Sequence, residues 1–108
     1  MHVVIEENKQ VERFFKLHEM FADTIRTKIY EDTELMIREK GYKIKTVRGA
    51  KYRNRTIFEY KIVVNAYFKC RVAYITEGDT VTVFYLSTNI IKANFTKEVM
   101  GLSDVHSI

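Results

Sequence analysis

IFEYKIVV (residues 57–64) is the stretch that decides the fold, together with the two segments that follow it. These are YFKCRVAYI (67–75) and TVTVFYLS (80–87). All three are rich in β-branched and aromatic residues, and short polar breaks separate them. This pattern predicts three consecutive antiparallel strands joined by hairpins.

Alternation along the predicted strands indicates which side chains share a face. In the first strand Glu59 and Lys61 alternate with aromatic and aliphatic residues, and in the second strand Lys69 and Arg71 do the same. Because successive side chains of a strand point to opposite faces, the apolar residues form one face and the charged residues the other. We therefore expect a sheet with one packed face and one solvent-exposed face, the latter carrying these four charged side chains.

Two helices are predicted before the sheet. The segment KQVERFFKLHEMF (9–21) has apolar residues at helical spacing, and Asn8 is its N-cap candidate. A second helix is expected from Asp23 to about Lys40. After the last strand we expect a loop and a short C-terminal helix, for which Thr96 is the cap candidate.

The expected fold class is α+β. An N-terminal helical hairpin packs on one face of a mainly antiparallel, twisted sheet of about four to five strands, and a short C-terminal helix follows. The additional strands are expected at Met1–Glu6 and Tyr42–Val47. The chain contains no Pro-rich or Ser-rich linker, so residues 1–108 are expected to form a single domain.

Composition also constrains where the protein works. No apolar run approaches the ~18 residues of a membrane span, so no membrane association is expected. The start of the chain, MHVVIEENKQ, lacks the basic region and apolar core of a signal peptide. The single cysteine, Cys70, excludes an internal disulfide and fits a reducing compartment. We therefore expect a cytoplasmic protein.

Positive charge is concentrated in one third of the chain. Residues 40–75 contain ten Lys and Arg and one acidic residue, Glu59, which gives a net charge of +9. Residues 1–39 have a net charge of −3 and residues 76–108 of −2. Such a distribution is typical of a nucleic-acid-binding surface, with a solvated basic face as the alternative.

Basic residues outside the charged strand face extend this predicted surface, and the segment RGAKYRNR (48–55) is expected to be the most basic loop of the protein. The candidate RNA-binding residues are Lys43, Lys45, Arg48, Lys51, Arg53, Arg55 and Lys69. Tyr52 and Tyr67 lie among them and are candidates to stack on bases, which contributes ~1–3 kcal/mol for each base.

Neither a metal site nor a small-molecule cofactor is expected. The three histidines, at positions 2, 18 and 106, lie far apart, and one cysteine cannot form a thiolate site. The four glycines do not have the spacing of a phosphate-binding loop. RNA scission without metal remains open, since it needs only a base near the 2′-hydroxyl, a cation at the phosphate and an acid at the leaving oxygen. Composition alone does not separate such cleavage from RNA binding.

From position 56 to position 99 the sequence resembles the RelE/ParE superfamily of bacterial toxins, whose RelE-like and HigB-like branches cut mRNA on the ribosome. The matching segments are FEYKI (58–62), CRVAYI (70–75), EGDT (77–80), VTVFYLS (81–87) and NIIKANFTKEV (89–99). The order of elements is also similar, with a helical hairpin before the sheet. The resemblance implies the toxin of a type II toxin–antitoxin system, a ribosome-dependent and metal-independent mRNA endoribonuclease.

The resemblance implies catalytic roles for Lys61, Arg71 and Lys92. Lys61 matches a basic position on the first strand, Arg71 matches the arginine that contacts the scissile phosphate, and Lys92 falls near the basic residue after the last strand. Two positions depart from the pattern. Val63 stands where RelE-like enzymes often have a second lysine, and Phe95 stands where they often have a tyrosine.

The implied partners are a cognate antitoxin protein, mRNA and the ribosome. The two departures keep two alternatives open. One is a ParE-like toxin that binds DNA gyrase and performs no chemistry of its own. The other is a catalytically incomplete relative that binds RNA and leaves it intact.

Overall fold

The computed structural model describes residues 1–108, which form three helices and a six-stranded mixed sheet. The helices are α1 (Lys9–Leu17), α2 (Glu19–Glu39) and α3 (Lys92–Met100). The strands are β1 (His2–Ile5), β2 (Lys45–Tyr52), β3 (Arg55–Val63), β4 (Lys69–Glu77), β5 (Thr80–Ser87) and β6 (Val105–Ser107). A single 3-10 turn, Gly41–Lys43, connects α2 to β2. The predicted α+β class is confirmed.

The strand order across the sheet is β1-β5-β4-β3-β2-β6. The three strands predicted from residues 57–87 are antiparallel neighbours, as expected, and only β1 pairs in parallel, with β5. The expected count of four to five strands is wrong, because β6 adds a sixth strand against β2. At three residues, β6 is too short to produce a recognisable alternation.

The two N-terminal helices are separated by one residue, His18. The Asn8 side chain accepts a hydrogen bond from the backbone N–H of Val11 at 2.8 Å, so the predicted cap of α1 is confirmed. The second helix begins at Glu19 rather than at Asp23. Asp23 lies in the second turn of α2, and an aspartate before an apolar run resembles a cap in sequence, which explains this error.

The expected basic loop at 48–55 is wrong, because most of it belongs to β2. Arg53 and Asn54 form the turn of the β2–β3 hairpin, with φ of 50° and 63°. Two positive φ values in succession match the twist of the flanking strands, and Asn adopts this conformation readily. The strand is hard to recognise in sequence because its pairing with β3 shifts register between Val47 and Lys51.

Both faces of the sheet carry an apolar core. The larger core lies between the sheet and the helices α1 and α2, and the second lies between the other face and α3 with β6. The expectation of one fully solvent-exposed face is therefore wrong. Phe95 and Val99 of α3 are completely buried in the second core. Thr96 lies inside α3 and does not cap it, since the residue at the N-cap is Ile91.

Candidate nucleic-acid interface

A buried carboxylate organises the charged part of the α3-covered face. Glu59 is 0% exposed, and its Oε1 accepts a hydrogen bond from Nη1 of Arg71 at 2.8 Å. Arg71 also donates from Nε to the Ile90 carbonyl at 2.6 Å. The Lys92 ammonium lies 3.6 Å from Oε2 of Glu59 and donates to the Thr46 carbonyl at 3.0 Å. One carboxylate from the middle of β3 thus holds two cations that come from different elements.

Strand register adds two further lysines to this arrangement. Lys61 lies directly opposite Arg71 across the β3–β4 pair, and Lys45 lies opposite Glu59 across the β2–β3 pair. Directly opposed residues point to the same face. We call Lys45, Lys61, Arg71, Lys92 and Glu59 the cationic cluster. With four positive charges and one negative charge, it has a net charge of +3.

A polar pocket of about 280 Å³ opens beside the cluster, between β2 and the start of α3. Its lining residues are Lys45, Thr46, Arg48, Lys92 and Thr96. Three of them are cationic and none is acidic, so the pocket is suited to an anion such as a phosphodiester. Lys45 and Lys92 belong to both the pocket and the cationic cluster.

Lys61 and Lys69 differ from Arg71 in how free their charges are to bind an anion. Lys61 and Lys69 form no ion pair in the structure, whereas the Arg71 side chain is 16% exposed and already bonded to Glu59. Lys69 lies opposite Val63, one pair beyond Cys70 at the same end of the β3–β4 ladder. Two side chains without an acidic partner, Lys61 and Lys69, therefore lie near this end of the sheet.

Other predicted RNA-binding residues lie elsewhere. Arg53 follows the far end of β2, where its guanidinium pairs with Glu6 at 2.6 Å and with Glu77 at 3.4 Å. Arg55 is at the same end of the sheet, opposite Tyr52. Lys51 is opposite His106 on the β6 side, and Lys43 ends the turn before β2. Of the seven residues predicted to bind RNA, Lys45 belongs to the cationic cluster, and Arg48 and Lys69 lie beside it.

The two candidate stacking tyrosines have opposite environments. Tyr52 is buried, its ring stacks on Phe84 with 4.0 Å between centroids, and its hydroxyl donates to Glu6. Burial raises the pKa of Tyr52 to about 12. This side chain belongs to the second core and cannot stack on a base. Tyr67 is exposed.

A tyrosine–carboxylate pair lies on β5 and α3. The Tyr85 hydroxyl donates to Oε1 of Glu98 at 2.8 Å, and Asn89 donates to Oε2 at 2.9 Å. Burial, together with the neighbouring carboxylate, raises the pKa of Tyr85. Burial alone would raise the pKa of Glu98, but hydrogen bonds from Ser87, Tyr85 and Asn89 lower it. Tyr85 therefore stays protonated at neutral pH beside a carboxylate.

Sequence reasoning missed the two acidic residues that position these groups. Glu59 was expected in solvent, although it is the only acid among residues 40–75, which was the available signal. Glu98 gave no comparable signal, because its partners Tyr85 and Asn89 lie outside α3 and meet it only when α3 docks on the sheet.

No protein-family model matches this chain, and no curated protein and no solved structure matches it either. The structure places no three His, Cys, Asp or Glu side chains close enough together to hold a metal ion. None of its helices combines the length and the apolar content needed to cross a membrane.

Proposed function

We propose that the protein is a RelE/ParE-like toxin that cleaves mRNA on the ribosome in the cytoplasm and is inhibited by a cognate antitoxin. The observation that carries the proposal is the convergence of Lys61, Arg71 and Lys92 on one sheet face. These residues come from three separate elements, and the buried Glu59 holds two of them. The antitoxin would cover this face with an acidic or amphipathic segment.

Binding of RNA would begin at the exposed cations. The pocket lined by Lys45, Arg48 and Lys92 has no acidic side chain in its lining. The positive surface continues along the strands to Lys61 and Lys69. Each phosphate contact releases condensed counterions, so affinity for RNA should fall steeply as salt concentration rises.

Each chemical role has a candidate on this face. Lys61, which has no acidic partner, would act in its neutral amine form, accept the proton of a 2′-hydroxyl and so become an ammonium. The 2′-oxygen then attacks phosphorus, and the N–H groups of Arg71 not used by Glu59 and Ile90 would stabilise the charge that develops on the phosphate. The bond to the 5′-oxygen breaks as that oxygen receives a proton, for which the ammonium of Lys92 is the candidate donor. The products would be a 2′,3′-cyclic phosphate and a 5′-hydroxyl end.

The test uses purified protein, translating ribosomes and end-labelled mRNA. Lys61→Ala should reduce the cleavage rate by at least about 100-fold, the usual contribution of a positioned general base. A 2′-deoxy nucleotide at the cut position should block scission. Lys16→Ala, on the exposed side of α1, is the matched control and should cleave at the wild-type rate. Wild-type cleavage by Lys61→Ala, or cleavage of the deoxy-substituted message, would contradict the mechanism.

A second candidate function is RNA binding without cleavage. It is favoured by Phe95, which is completely buried and has no proton to donate, and by the existing bonds of Arg71 to Glu59 and Ile90. The same ribosome assay separates the two functions. A binding protein would retain mRNA in a salt-dependent manner and leave its length unchanged.

A further inference from the structure

Tyr67 is 98% exposed, although it lies in the short, well-anchored connection between β3 and β4. The Asn65 side-chain oxygen accepts hydrogen bonds from the backbone N–H groups of Tyr67 at 2.7 Å and Phe68 at 2.9 Å. The Phe68 ring stacks on Phe21 of α2 with 4.4 Å between centroids. The backbone is therefore held against the larger core while the Tyr67 ring projects into solvent.

An open pocket of about 360 Å³ lies beside this ring. Its lining residues are Ala66, Tyr67, Phe68, Lys69, Thr88 and Ile90. Four of the six are hydrophobic, and Lys69 is the only charged one. The volume is sufficient for a flat aromatic ring system, and Tyr67 offers a ring on which it can stack.

The pocket lies beside the cationic cluster, and Ile90 connects the two. The Ile90 carbonyl, on the pocket wall, accepts the hydrogen bond from Nε of Arg71. Lys69 precedes Arg71 by two residues on the same face of β4, a separation of about 6.8 Å along a strand. An apolar pocket next to unpaired cations suits a ligand that joins a flat ring to an anion. A nucleotide has this chemistry.

We infer that the pocket binds one unpaired base of single-stranded RNA, which stacks on Tyr67 while an adjacent phosphate contacts Lys69. This inference rests on the proposed function for its ligand, and it adds a base subsite next to the residues that bind phosphate. Because every base has a stacking face, the subsite favours unpaired over paired RNA and discriminates weakly among the four bases.

The experiment measures binding of two fluorescently labelled oligomers of equal length by anisotropy, at several salt concentrations. One is an oligoadenylate and the other has the same ribose-phosphate backbone without bases. Tyr67→Ala should weaken oligoadenylate binding about tenfold, and Tyr67→Phe should bind like wild type. Neither substitution should change binding of the abasic oligomer, and the salt dependence should remain the same, because Tyr67 carries no charge. The control is Tyr30→Ala, a half-exposed tyrosine of α2.

Three outcomes overturn the inference. If Tyr67→Ala binds oligoadenylate like wild type while Lys61→Ala loses affinity, the base subsite is wrong and the proposed phosphate-binding face stands. If Tyr67→Ala weakens both oligomers equally, the ring acts on the phosphate-binding surface and not on a base. If wild type binds neither oligomer, the proposed function fails together with the inference.

Discussion

The ion pair between Glu59 and Arg71 gives the most quantitative prediction. Glu59 is fully buried, and Arg71 supplies its only hydrogen bond, at 2.8 Å. Oε2 has no hydrogen-bond partner, since the Lys92 ammonium at 3.6 Å lies beyond hydrogen-bond distance. Replacement of Arg71 by Met keeps an unbranched side chain of similar length but leaves the carboxylate buried with both oxygens unbonded.

The expected loss follows from this environment. Removal of one partner of a buried ion pair typically costs about 3–5 kcal/mol, because the remaining charge is uncompensated in a medium of low polarity. Lys92 remains nearby and keeps part of the attraction, which places Arg71→Met near 3 kcal/mol, at the low end of that range. The double variant, Arg71→Met with Glu59→Leu, no longer contains the buried charge. It should therefore be more stable than Arg71→Met alone.

The assay is a double-mutant cycle on the free energy of unfolding, measured by urea denaturation for wild type, Arg71→Met, Glu59→Leu and the double variant. We expect an interaction energy of about 3 kcal/mol, because each single variant leaves the other charge buried without its partner. Strictly additive single effects, or a loss below about 1 kcal/mol for Arg71→Met, would refute the reasoning.

This result also determines how activity data on Arg71 are interpreted. Loss of toxicity in Arg71→Ala can arise from a destabilised fold as well as from a missing phosphate ligand. The double variant Glu59→Leu/Arg71→Met restores the fold without restoring the guanidinium. It should therefore be folded and inactive, which separates the two explanations.

Two further predictions concern stability. Thr33 and Tyr60 share a buried hydrogen bond between their hydroxyls, so Thr33→Val should lower the free energy of unfolding by about 1–2 kcal/mol in urea denaturation; an unchanged midpoint would contradict the bond. Burial raises the pKa of Tyr74 to about 12, whereas a tyrosine in the unfolded chain ionises near 10. The folded state therefore retains a proton that the unfolded state loses, and stability should fall as pH rises from about 10 to about 12. Tyr74→Phe should show a smaller fall by circular dichroism, and an identical pH profile would count against the assignment.

The central sheet was predictable because its signals are local. The segments at 57–64, 67–75 and 80–87 alternate regularly and end at polar turns, so their order and antiparallel pairing follow from sequence. The α1 cap at Asn8 follows from a local pattern as well. In contrast, a register shift lies inside β2, so apolar and polar residues do not alternate regularly along it. Its sequence therefore resembles a basic loop.

The sequence predicted the cationic residues of the candidate site. It did not predict the acidic residues that hold them in place. Alternation placed Lys61 and Arg71 on one face, and the register confirms that they are neighbours. Burial of Glu59 depends on the docking of α3 on that face, which is a long-range event with no local signal. Tyr52 and Tyr67 are both tyrosines among basic residues in sequence. Tyr52 is buried in the core that includes residues of α3, whereas Tyr67 is exposed to solvent.

The most direct test of the central claim is a map of transcript 5′ ends after induction of the protein in bacteria. The account predicts new 5′-hydroxyl ends within translated reading frames for wild type and for Lys16→Ala. It predicts few or none for Lys61→Ala, whose side chain is exposed enough to be replaced with little loss of stability. It predicts the same for Lys92→Ala, whose folding is checked by circular dichroism because Lys92 lies beside the buried Glu59. An absence of new ends in wild type, or the same ends in both lysine variants, would contradict the claim that this cationic face cleaves mRNA.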